Sequence, residues 1–127
     1  MNETNLLREI MLAASQDGAR LWRNNVGQAW VGSRVERLAD GSVLIYNARP
    51  FHAGLCEGSA DLIGLAPVII TPEHVGTTLA VFVSVEGKSK RGRPSKPQLS
   101  WRDAINDLGG RAGIARSVED AIEIIRG

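Results

Sequence analysis

Leu79-Ala80-Val81-Phe82-Val83-Ser84-Val85-Glu86-Gly87-Lys88 is the clearest strand signal in the chain. Val81, Val83 and Val85 alternate with Phe82, Ser84 and Glu86, the two-residue period of a pleated strand. That period puts Glu86 and Lys88 on one face and Gly87 on the other, so two opposite charges end an otherwise apolar strand side by side. Six basic residues and no acidic one lie between Gly87 and Arg102: Lys88, Lys90, Arg91, Arg93, Lys96 and Arg102. The formal net charge is only +1, so the rest of the chain is on balance acidic. Such a stretch offers an anionic partner a local landing site, or it is a solvated loop that stays off the core.

Downstream of this strand, Ser95-Lys96-Pro97-Gln98 has the pattern of a capping box with proline in the first turn, predicting a helix that Gly109-Gly110 closes. Gln98, Trp101, Ile105 and Leu108 share its inward stripe, with Gln98 at the end nearest the basic loop. Arg111 to Ala115 reads as a last strand. Ser117-Val118-Glu119-Asp120 caps a final helix whose buried side is Val118, Ala121, Ile122 and Ile125.

Upstream, Leu6, Leu7, Ile10, Met11 and Ala14 predict a helix from about Glu3 to Gln16, ended by Asp17-Gly18. Three extended runs follow, Arg20 to Arg23, Gln28 to Arg34 and Ser42 to Tyr46, with Asp40-Gly41 as a hairpin signal, and together they read as a meander. His52 to Ala60 is a loop rich in small residues, Asp61 to Leu65 opens a short apolar strand, and Thr71-Pro72 lies in the connection to the long strand. The order of elements predicts an α/β fold with a central mixed β-sheet flanked by helices.

With 127 residues, 43% of them hydrophobic and 23% charged, the chain is expected to form one soluble globular domain over residues 1–127. A core of that size needs no staples. The single cysteine, Cys56, excludes an intrachain disulfide, the start lacks a secretory pattern, and no run spans a membrane, so a cytoplasmic location is expected.

Asp61, Glu86 and Lys88 are the leading candidates for chemistry. A hard divalent ion needs carboxylate oxygens, and a neighbouring cation orients water and offsets phosphate charge. The plainer alternative is a Glu86 to Lys88 ion pair at a strand end, with Gln98 only the reciprocal half of its capping box. Gly87-Lys88-Ser89 looks like the end of a phosphate-cradling loop but lacks the earlier glycine, since Phe82 stands there. Arg91-Gly92-Arg93-Pro94 resembles the core of an AT-hook, which would make the chain a non-catalytic minor-groove binding module. His52 and His74 have no second histidine at ligand spacing and are expected at the surface or in caps. Trp22, Trp30 and Trp101 are expected to pack in core or sheet.

A wider set of strings runs almost end to end: Glu3, Trp22-Arg23-Asn24-Asn25-Val26-Gly27, Gly58-Ser59-Ala60-Asp61-Leu62-Ile63-Gly64, Val85-Glu86-Gly87-Lys88, Gly92-Arg93-Pro94-Ser95, Gln98, Trp101, Gly109-Gly110 and Gly113-Ile114-Ala115. In this order they resemble the virus-type replication-repair nuclease (VRR-NUC) domain, a branch of the PD-(D/E)xK superfamily. The resemblance implies a restriction-endonuclease-like core and a Mg²⁺- or Mn²⁺-dependent endonuclease acting on branched or duplex DNA. Small stand-alone members, often phage-encoded, look like homodimers that cut four-way (Holliday) junctions, and larger members serve in DNA repair. It gives Asp61 and Glu86 the metal, with the Gly87 carbonyl beside them, and Lys88 the catalytic lysine's place. Gln98 and Glu3 complete the catalytic set, while Lys90, Arg91, Arg93, Lys96, Arg23 and Asn25 are implied to meet DNA. Two departures stand out: Gly87 replaces the usual branched residue between the acid and the lysine, and Ala60 stands where the superfamily name has proline.

Overall fold

The computed structural model describes residues 2–127 and mixes three α-helices with eight short β-strands. They fall into two compact units, residues 2–20 with Gly64–Gly127, and Leu21–Ile63. Among the described residues no helix is long and apolar enough to cross a membrane.

In the first unit, α1 spans Glu3–Gln16 as the periodicity predicts. The Asn2 side chain accepts from the Asn5 N–H at 2.8 Å, satisfying an otherwise orphaned donor, and Gly18 leaves the helix with φ of 88°. The heart of this unit is a parallel pair in which β7 (Val83–Gly87) runs in register with β8 (Arg111–Ala115), from Val83 opposite Arg111 to Gly87 opposite Ala115. The α2 helix (Lys96–Asp107) connects these strands, and α3 (Val118–Arg126) follows β8. Ile105 of α2 is fully buried and Ala115 of β8 nearly so.

Two glycines let these elements approach. A Cβ on Gly113 would stand 2.7 Å from Ile124 of α3, and one on Gly110 would stand 2.7 Å from Ile105 and 3.1 Å from the Phe82 carbonyl. The helix caps follow the sequence reading: Gln98 N–H donates to Ser95 Oγ at 3.2 Å, and Asp120 N–H donates to Ser117 Oγ at 3.0 Å.

The second unit is dominated by a long antiparallel ribbon. β2 (Gly27–Val31) pairs with β5 (Arg49–Ala53), and β3 (Arg34–Arg37) pairs with β4 (Val43–Tyr46). Val31 faces Arg49 and Arg34 faces Tyr46, so one register runs through both ladders. At the interruption Asn47 adopts φ of 52°, its Nδ2 donates to Ser33 Oγ at 2.9 Å, and Gly32 lies so close to the Tyr46 carbonyl that a Cβ would sit 2.3 Å from it. At the tip, Leu38 N–H donates to the Ser42 carbonyl at 2.9 Å, and Gly41 takes φ of 89° as the Asp40-Gly41 signal predicts. The remaining strands, β1 (Arg20–Arg23) and β6 (Leu62–Leu65), pair with each other.

Several expectations are corrected. Among the described residues the strands form four two-stranded ladders instead of one central mixed sheet. The strand expected over Leu79 to Lys88 has its ladder only over Val83–Gly87, because its partner β8 is confined to five residues between the end of α2 and the cap of α3. The run from Gln28 to Arg34 breaks at Gly32-Ser33, and the expected meander is a single hairpin ribbon. Its return strand β5 takes His52 and Ala53 from the expected loop; Pro50 and the lack of clean alternation hid it.

Candidate active site

β7 sets the geometry. Phe82 C=O and Lys88 N–H bond to β8 at 2.9 Å each, so the even positions face β8 with their backbone groups. By the alternation of a ladder, Val83, Val85 and Gly87 turn their backbone N–H and C=O to the opposite edge. The Gly87 carbonyl therefore lies on the edge away from β8.

Glu86 and Lys88 share a face, as the strand period requires, and Lys88 Nζ lies 3.4 Å from Glu86 Oε1. The same oxygen accepts from Gln98 Nε2 at 2.9 Å. Gln98 reaches it because α2 begins with a reciprocal capping box: Ser95 N–H donates to Gln98 Oε1 at 2.9 Å. The cap uses the amide oxygen and so directs the amide nitrogen at Glu86, and one side chain both closes the capping box and bonds that carboxylate. The ion pair is real too. It is only partly screened from solvent, with the Lys88 side chain 22% and the Glu86 side chain 41% exposed.

Glu86 and Gln98 line a cavity of about 250 Å³ whose wall also includes Ser84, Trp101, Arg102 and Gly113. Trp101 is fixed there by its Nε1–H, which donates to Ser84 Oγ at 2.8 Å, and by an edge-on contact with Phe82 at 6.5 Å between centroids. Arg102 brings a cation to the wall, with its Nε donating to Asp103 Oδ1 at 3.0 Å. Sequence alone marks Arg102 only as charge.

Asp61 lies in the other unit, exposed, just before β6. Its backbone is anchored by Asn24, whose N–H donates to the Asp61 carbonyl at 2.8 Å. The nearly buried Asn24 side chain bonds Ser59 Oγ at 2.7 Å, the Ala60 carbonyl at 2.9 Å and the Leu55 N–H at 3.0 Å. Asn24 thus ties down the loop that carries Asp61, a role hidden behind its reading as a turn residue. Arg23 and Asn25 meet through Arg23 Nη2 and Asn25 Oδ1 at 3.3 Å. Glu3 occupies the exposed first turn of α1, where its charge suits the helix dipole, and it does not line the cavity. No group of three or more His, Cys, Asp and Glu side chains gathers as a metal cluster among the described residues.

Lys90, Arg91, Arg93 and Lys96 are all exposed. The segment Ser89–Gly92 closes on itself, with Gly92 N–H donating to the Ser89 carbonyl at 3.2 Å and to Ser89 Oγ at 3.1 Å. His74 caps its own short turn by accepting from Thr71 N–H at 3.0 Å, and His52 is exposed on β5. Trp30 departs from the packing expected of it, being 54% exposed on the ribbon. Comparison of the chain with protein-family models, curated proteins and solved structures returns no match.

Proposed function

We propose that the chain is a metal-dependent, structure-specific DNA endonuclease of the VRR-NUC kind, with a restriction-endonuclease-like core, working as a homodimer on branched DNA such as four-way junctions. The observation that carries this reading is the convergence of Lys88 and the capping-box amide of Gln98 on one carboxylate oxygen of Glu86, beside a cavity and at the root of a basic loop.

The donor chemistry fits Mg²⁺ or Mn²⁺. Glu86 and the Gly87 carbonyl at the outer edge of β7 are hard oxygen ligands, and among the described residues no protein donor reaches Glu86 Oε2. The resemblance implies Asp61 as the further carboxylate ligand. Glu86 and the Gly87 carbonyl would hold such an ion, which would supply charge neutralisation at the phosphate and lower the pKa of water.

The protein's own groups do the rest. Gln98 holds the Glu86 carboxylate in one orientation while the cap holds Gln98. Lys88, half-enclosed and paired with that carboxylate, presents its ammonium to the attacking water and to a non-bridging phosphate oxygen. Lys90, Arg91, Arg93 and Lys96 neutralise phosphates flanking the cut, with Arg23 and Asn25 as further contacts. Two copies related by a two-fold axis present two such loops and two sites to paired strands of a junction.

The test is incubation of the protein with labelled linear, flapped and four-way-junction DNA in Mg²⁺, Mn²⁺, Ca²⁺ or chelator. Cleavage of a branched substrate in Mg²⁺ or Mn²⁺ alone supports the reading. Binding without cleavage of any substrate replaces it with a non-catalytic DNA-binding module.

A further inference from the structure

Arg116 follows β8 and takes no part in the chemistry above. Its Nη1 donates to three carbonyls of the basic loop: Ser89, Lys90 at 3.2 Å and Gly92 at 2.8 Å. Its own backbone is held in turn, because Arg116 N–H donates to Asp120 Oδ2 at 2.8 Å in the first turn of α3. The loop is thereby tied to β8 at its root, where Lys88 N–H meets the Ala115 carbonyl, and along its course through Arg116.

This placement is unusual on charge alone. Lys88, Lys90, Arg91 and Arg93 lie within six positions with no acid among them, so another cation brought beneath them adds repulsion. The carbonyl dipoles offset it, and charge-assisted hydrogen bonds to them are stronger than neutral ones. A turn whose carbonyls gather on one guanidinium also leaves Lys90, Arg91 and Arg93 exposed.

We propose that Arg116 is a positioning residue that holds the basic loop in the one shape in which Lys90, Arg91 and Arg93 meet a DNA backbone. A loop ordered beforehand loses less conformational freedom on binding, so the clamp raises affinity without itself touching DNA. Lysine in its place restores the charge but not the planar guanidinium, and serves only in part. The partner rests on the DNA reading above; the clamp stands on the hydrogen bonds.

The experiment compares the wild-type chain with Arg116→Ala and Arg116→Lys in three measurements. They are tryptic cleavage after Lys88, Lys90 and Arg91 without DNA, four-way-junction binding in chelator over a salt series, and thermal unfolding. Cleavage in this loop should rise about tenfold in Arg116→Ala while other tryptic sites hold, with Arg116→Lys between the two. Junction affinity should fall about tenfold in the same order. Unchanged loop cleavage overturns the clamp whether or not the wild type binds DNA. Accelerated cleavage throughout the chain with a lowered unfolding temperature also overturns it, by making Arg116 a general stability residue. A salt slope reduced by ~0.9 with loop cleavage unchanged makes Arg116 a direct phosphate contact instead. If the wild type binds no DNA while the loop loosens as described, the clamp stands and the DNA reading fails.

Discussion

Replacing Gln98 separates what its side chain does for the helix from what it does for Glu86. Its oxygen accepts from Ser95 N–H at 2.9 Å and its nitrogen donates to Glu86 Oε1 at 2.9 Å. Losing the cap half costs ~0.5–1 kcal/mol, by analogy with other N-terminal caps. A hydrogen bond to an ionised group is worth ~1.5–3 kcal/mol when buried. Glu86 is 41% exposed and keeps Lys88 as a second partner, so about 1 kcal/mol is the appropriate figure here. Urea unfolding in chelator, on the wild type, Gln98→Ala, Glu86→Ala and the double variant, reads the two parts as a double-mutant cycle. Gln98→Ala should cost ~1.5–2 kcal/mol in the wild type and ~0.5–1 kcal/mol once Glu86 is absent, a coupling of about 1 kcal/mol. Costs that add to within ~0.3 kcal/mol would show that Gln98 does not hold Glu86, and the positioning argument would fail.

Gly32→Ala forces a Cβ to within 2.3 Å of the Tyr46 carbonyl, so it should destabilise the ribbon by ~1–3 kcal/mol, seen as faster amide exchange in β2 to β5. Asp40 has its pKa lowered from the usual value by hydrogen bonds from the Ser42 backbone, then from the Ser42 side chain. Its contribution to the ribbon tip is therefore present above the unfolded pKa and lost as pH falls through the lowered folded value. The Ser42 amide resonance should titrate below the ordinary aspartate range, and Asp40→Asn should abolish that titration. Replacing Lys90, Arg91 and Arg93 together by Ala should flatten the log-log salt dependence of DNA binding by ~0.9 for each phosphate left without its cation. An unchanged slope would remove the loop from the interface.

The parts legible in the sequence are those written in local rules. The extent of α1, the capping box at Ser95 and the Ser117 cap are each set by bonds within about one turn, so spacing suffices to place them. The shared face of Glu86 and Lys88 follows from the strand period alone. What spacing cannot show is where a second bond goes. Gln98 Nε2, Asn24 Nδ2 and Arg116 Nη1 find their partners 12, 35 and 24 residues away, respectively. The ribbon escapes a sequence reading for a related reason: β5 carries Pro50 and is defined by its partner β2 more than by its own pattern.

The proposed division of labour, hydrolysis by Glu86 and Lys88 with DNA held by the basic loop, is tested by measuring binding and cleavage of one labelled four-way junction by the wild type, Glu86→Ala and Lys88→Ala. Binding is read in chelator and cleavage in Mg²⁺. Glu86→Ala should lose cleavage while binding holds or tightens, because removing a carboxylate lessens repulsion of the phosphates. Lys88→Ala should lose turnover with only a modest loss of binding, as one cation among several. Cleavage by either variant at the wild-type rate, with the protein folded and the junction bound, would remove Glu86 and Lys88 from the hydrolysis.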